Sequence, residues 1–134
     1  MSAALTVSSL EQAAREQTGL VDFGPDTGWR EGFERLVAAV EAMGPNDQLR
    51  HLAAHNIVGQ LVTRLRFVED DRLHPEIALQ DVGDPLIVIG LPRTGTTISY
   101  DLLCLDPAAR APREWEWYIP WPPPEVATFA SDAR

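Results

Sequence analysis

Between residues 90 and 97 the chain reads Gly90-Leu-Pro-Arg-Thr-Gly95-Thr96-Thr97, which sets two glycines, a guanidinium and three hydroxyls close together. Ahead of it stands Pro85-Leu-Ile-Val-Ile89, an apolar run bounded by Gly-Asp before and Gly90 after, which predicts a buried strand. Behind it, apolar residues at 98, 102, 103 and 105 follow helical spacing. A strand, a tight glycine loop and a helix start, in that order, make an anion site. Successive backbone N–H groups converge on one spot, and the helix dipole favours negative charge there. Phosphate-type chemistry is the first inference.

What the loop lacks narrows that inference. The nucleoside-triphosphatase pattern G-x-x-x-x-G-K-[ST] needs a lysine for the β and γ phosphates and a hydroxyl for magnesium. Here Thr96 occupies the lysine position and Arg93 is the loop's one cation. No lysine can substitute from elsewhere, because all 11 basic residues are arginines. An ATP or GTP hydrolase of the usual design is disfavoured. A ligand with a 5′-phosphate and one more anionic group, gripped by backbone amides, hydroxyls and one guanidinium, fits better. Plainer roles stand beside this one: Arg93 could pair with a surface carboxylate, and Thr96 and Thr97 could simply cap a helix.

The second stretch with chemical character is Glu114-Trp-Glu-Trp-Tyr-Ile-Pro-Trp121. Aromatic and proline side chains make a stiff apolar wall suited to an organic acceptor, with Trp115, Trp117 and Tyr118 as its candidate contacts. A carboxylate in such a wall is expected to have a raised pKa and to accept a proton from a hydroxyl, which makes Glu114 and Glu116 candidate bases. The tryptophans could equally pack one half of the chain onto the other. His51 and His55 stand four apart, but Leu52-Ala53-Ala54 fill the places where a zinc-protease helix needs glutamate, so no metal site is read there. Cys104, among Leu102, Leu103 and Leu105, reads as a core residue.

Leu91-Pro-Arg-Thr-Gly-Thr-Thr97 resembles the 5′-phosphosulfate-binding loop of sulfotransferases. Phe23-Gly, Trp29-Arg-Glu-Gly-Phe-Glu-Arg-Leu36, Leu102-Leu103, Leu105-Asp-Pro107, Ala111-Pro112, Trp115-Glu116 and Pro120-Trp-Pro-Pro-Pro124 extend the resemblance, to a bacterial branch, over essentially the whole chain. It implies an α/β fold with a P-loop-like parallel sheet core and 3′-phosphoadenosine 5′-phosphosulfate (PAPS) as co-substrate, without a metal. It assigns Pro92, Arg93, Thr94, Gly95, Thr96 and Thr97 to the donor and Arg93 to catalysis. Some bacterial relatives use a glutamate after the loop helix as base and others a later histidine; by position Glu116 is the better match and Glu114 the second. Relatives often carry His-Arg where this chain has Tyr100-Asp101, which puts donor or acceptor contacts from those two positions in doubt.

The elements that must position these groups fall into two parts, an all-helical region over 1–80 and the start of an α/β domain over 81–134. A first helix is expected from Ser8 or Ser9, boxed by Glu11 or Gln12 and ended by Gly19. A second puts Trp29, Phe33, Leu36, Val37, Val40 and Met43 on one face and stops at Gly44. A third runs from about Asn46 to Val68 with Leu49, Leu52, Ala53, Ile57, Leu61, Leu65 and Val68 as its stripe, and a short helix could follow before His74-Pro75. Glu41 and Glu69-Asp70-Asp71 read as solvated helix ends. Only the 85–89 run reads as a strand, and one parallel strand leaves both edges open. The chain therefore reads as the truncated front of a larger domain, without the region that in the family holds the donor's 3′-phosphate.

A formal charge of −9 argues against nucleic acid as the partner. A single cysteine fits a reducing, cytoplasmic setting, and neither a signal peptide nor a membrane span is visible. The sequence thus points to a sulfotransferase passing a sulfuryl group from PAPS to a hydroxyl or amine of a small organic acceptor. This portion alone is expected to be inactive. A homo-oligomer is compatible with the sequence. The competing readings are a nucleotide or small-molecule kinase with a degenerate loop and a non-catalytic helical interaction remnant.

Overall fold

Thr6 starts the first helix: its hydroxyl accepts from the Ser9 N–H at 3.1 Å, and Ser9 Oγ accepts in return from the Thr6 N–H at 3.2 Å. The computed structural model describes residues 4–133, and helix α1 spans Val7–Thr18 and ends at Gly19. The box lies upstream of the expected Ser8/Ser9 start because Glu11 is engaged elsewhere. It is 8% exposed and accepts from Arg15 at 3.3 Å and from Arg30 at 2.8 Å. A carboxylate this buried stands only when paired, and here two guanidinium groups pair it.

Helix α2 spans Gly28–Ala42 and helix α3 spans Asp47–Leu73, the latter capped by Asn46, whose Oδ1 accepts from the Leu49 N–H at 2.8 Å. Instead of a separate short helix before His74, α3 continues to Leu73 and a 3-10 turn follows over Pro75–Leu79. Helix α1 lies along α3, with α2 touching both more lightly. The core comprises Leu10, Ala14, Phe23, Phe33, Val37, Ile57, Val58, Leu61, Val62 and Leu65. Only part of each expected stripe is covered: Leu36, Met43, Leu49 and Leu52 are exposed. The segment between α1 and α2 is tied down by Arg64, which donates to the carbonyls of Phe23 at 2.7 Å and Asp26 at 3.1 Å while lying 4.8 Å over the Trp29 ring. Glu41 is no solvated helix end. It accepts from the Leu5 N–H at 3.0 Å and from Arg50 Nε at 3.0 Å, joining the chain before α1 to α2 and α3.

The contacts of the chain divide it into two units, the first ending at Ala78 and the second starting at Leu79. The second contains helix α4 (Thr96–Leu103) and helix α5 (Glu114–Tyr118). Among the described residues there is no strand, and the sheet core implied by the sequence is not shown. Residues 80–91 carry no regular structure, and Leu86, Ile87 and Ile89 are 76%, 72% and 88% exposed. The reason is cooperative: a buried parallel strand needs neighbours to take its N–H and C=O groups, and no described segment offers a ladder. Cys104 likewise is exposed rather than in a core. Among the described residues no helix is long and apolar enough to cross a membrane.

Candidate functional site

The loop before α4 is a tight turn. Leu91 O accepts from both the Thr94 N–H at 3.3 Å and the Thr94 hydroxyl at 2.7 Å. Pro92 follows Leu91, and Arg93 takes a left-handed backbone with φ 66°. Proline second and a positive φ third is the pattern of a type II turn, whose third place usually goes to glycine. An arginine there costs about 1–2 kcal/mol of backbone strain. Arg93 is exposed and makes no ion pair with another described residue. A residue held at that cost with its charge unspent is a candidate for ligand binding.

The two glycines have separate reasons. A Cβ on Gly90 would stand 2.6 Å from Thr96 Cγ2 and 2.7 Å from Thr94 Oγ1, so the loop folds back over its own helix start only because Gly90 has none. Gly95 is the N-cap of α4 with φ 87°, and it brings no side chain to cap the helix. The first helical bond at this end runs from the Ser99 N–H to Gly95 O at 3.0 Å. The amides of Thr96, Thr97 and Ile98 therefore face outward as donors, beside the hydroxyls of half-buried Thr96 and exposed Thr97. That set suits a 5′-phosphate and its attached anionic group. Pro92, Arg93, Thr94, Gly95, Thr96 and Thr97 thus lie together at one helix start.

The residues expected to form the acceptor wall lie in and around α5. Trp115 is half-buried against Phe129, ring centroids 5.2 Å apart, while Trp117 and Tyr118 are 70% and 78% exposed. Glu114 is exposed at the first position of α5. Glu116 is not a carboxylate with a raised pKa. The Arg113 N–H at 2.6 Å, and after it the Arg110 guanidinium at 2.5 Å, hold its carboxyl below the ordinary carboxylate range against the opposing pull of burial. An aromatic wall alone would raise a carboxyl's pKa, but this carboxylate is taken up by its own helix cap and by Arg110.

Two further groups carry geometry that the sequence reading left unassigned. Tyr100, on α4, donates its phenol proton to Pro112 O at 2.6 Å and so links the loop helix to the chain leading into α5. Burial, followed by the neighbouring Cys104 thiol, pushes that phenol upward. Arg110 pairs with Glu116, and the glutamate three residues after Arg113, at the spacing of a helix N-terminal box, signals only the accompanying bond from the Arg113 N–H. Among the described residues no group of three or more histidine, cysteine or acidic side chains could hold a metal ion.

No protein-family model matches the sequence, and a comparison with curated proteins gave no significant match. Among solved structures, the chain is similar to the crystal structure of the sulfotransferase STF1 from Mycobacterium tuberculosis H37Rv. The two share 32% sequence identity with a TM-score of 0.80, over 97% of this chain and 36% of the other. This chain therefore spans about a third of that protein's length.

Proposed function

We propose that this chain belongs with the bacterial sulfotransferases and supplies the donor loop for sulfuryl transfer from PAPS to a hydroxyl or amine of a small organic acceptor. The observation that carries the reading is the structural match to a sulfotransferase over nearly the whole chain. The loop geometry supports it, because an uncapped α4 start with threonines and no lysine suits a phosphosulfate better than a nucleoside triphosphate.

The donor supplies the transferable sulfuryl group and a 3′,5′-bisphosphate that can leave. The chain's own residues bind and neutralise. The amides of Gly95, Thr96 and Thr97 and the two threonine hydroxyls hold the 5′-phosphate. Arg93, fixed by the turn, neutralises charge that grows on the bridging oxygen as the bond to sulfur breaks. Pro92 and Thr94 set the turn that aims it. Trp115, Trp117 and Tyr118 hold the acceptor in line. Of the two carboxylates, exposed Glu114 is the one open to the acceptor's proton, since Glu116 already accepts from Arg113 and Arg110. The acceptor range and a cytoplasmic setting form part of the same proposal.

Incubation of the full-length protein that carries this sequence with PAPS bearing a labelled sulfuryl group and a panel of phenols, alcohols and amines tests the proposal. Label is expected on an acceptor together with stoichiometric 3′,5′-bisphosphoadenosine. Phosphoryl transfer from magnesium-ATP to the same panel, with no sulfuryl transfer, would favour the kinase reading instead.

A further inference from the structure

The chain between α4 and α5 is held by bonds that the donor loop itself does not need. Tyr100 fastens Pro112 from α4 at 2.6 Å. Four residues on, the Glu116 side chain, only 7% exposed, gathers the Arg113 N–H at 2.6 Å and the Arg110 guanidinium at 2.5 Å. Arg113 lies 4.8 Å over the Phe129 ring, which packs on Trp115. The geometry points to Tyr100 and Glu116 as positioning residues: together they brace residues 110–118 against the helix that begins at Thr96, and Glu116 does not take the acceptor's proton.

The brace stands on the contacts alone. Its meaning for catalysis, that it sets the Trp115–Tyr118 wall relative to Arg93, rests on the sulfotransferase reading. Two donors share the Glu116 carboxylate, and a proton arriving there would compete with one of them. Such a carboxylate holds its neighbours in place better than it moves protons. Tyr100 works from the other side, since its phenol reaches from α4 to the carbonyl of Pro112 ahead of α5.

The test uses Tyr100→Phe, Glu116→Ala and Glu116→Gln, read by amide hydrogen exchange across residues 110–118 in this chain. Tyr100→Phe and Glu116→Ala are expected to exchange about 10-fold faster there than the parent, the scale of one lost hydrogen bond. Glu116→Gln, whose amide oxygen can still accept from Arg113, should fall between. Unchanged exchange in Tyr100→Phe and Glu116→Ala, or no protection of 110–118 in the parent, would overturn the brace. In the full-length protein, with PAPS and an accepted substrate, Glu116→Gln is expected to keep the parent's pH–rate profile and at least about a tenth of kcat, while Glu116→Ala loses more. Equal losses of about 10²-fold or more in both variants, with the acid limb of the profile gone, would make Glu116 the base and sink the proposal. If the full-length parent binds no 3′,5′-bisphosphoadenosine, the sulfotransferase reading fails, and the exchange result in this chain still decides the brace.

Discussion

On the proposed reading, Arg93 is the residue on which the chemistry turns. Its backbone sits in a conformation usually left to glycine, and its guanidinium makes no ion pair with a described residue. If it stabilises charge that grows only as the sulfuryl bond breaks, Arg93→Ala in the full-length protein should lower kcat by ~10²-fold or more, the scale of losing one oxyanion donor. The Kd for the donor should move less than kcat, because the loop amides still hold the 5′-phosphate. Steady-state kinetics with PAPS, paired with a binding titration, separates the two effects. Unchanged kcat with weakened binding would reduce Arg93 to a ground-state contact.

At the scale of elements, the helical unit depends on where α1 lies along α3. Leu65 of α3 is fully buried in the core, so Leu65→Ala leaves a cavity its neighbours only partly fill and should destabilise this unit by about 2–5 kcal/mol in chemical denaturation. The Glu41 clamp adds a pH dependence of definite sign. Arg50, and after it the Leu5 N–H, hold its carboxyl below the ordinary carboxylate range. The folded-state pKa then lies below the unfolded value of about 4.3, so the stabilisation is complete above that pH and is lost as pH falls through the lower folded value. Glu69, Glu76 and Glu116 shift in the same direction. Thermal melts should therefore be flat from neutral pH down to about 5 and fall below about 4, and Glu41→Gln should shrink that fall without abolishing it. The sequence displayed the helices through apolar spacing and stops such as Gly19, and it displayed the loop through glycine and threonine. It did not display the clamps, since Glu41 meets Leu5 from 36 residues away and Glu11 meets Arg30 from 19. Such pairs are fixed by packing between helices, which periodicity cannot report. The 85–89 run failed as a strand for a related reason: its side chains suit a buried sheet, but a ladder is made by partners, and none stands among the described residues.

At the scale of the whole molecule, one loop with the features of a donor site sits beside apolar surface that nothing described covers. Leu86, Ile87 and Ile89 are exposed, so their amides should exchange at nearly unprotected rates in this chain, and slow exchange across Leu86–Ile89 in a demonstrated monomer would show a ladder this structure lacks. The central claim is that the loop is built for a bisphosphate-type ligand rather than a triphosphate, because Thr96 stands where the triphosphate-binding lysine belongs. Calorimetric titration of the full-length protein with 3′,5′-bisphosphoadenosine and, separately, with ATP, each with and without magnesium, tests that claim. The bisphosphate is expected to bind at least about tenfold tighter than ATP, a difference of about 1.4 kcal/mol, and to need no magnesium. Magnesium-dependent ATP binding at equal or higher affinity would contradict it.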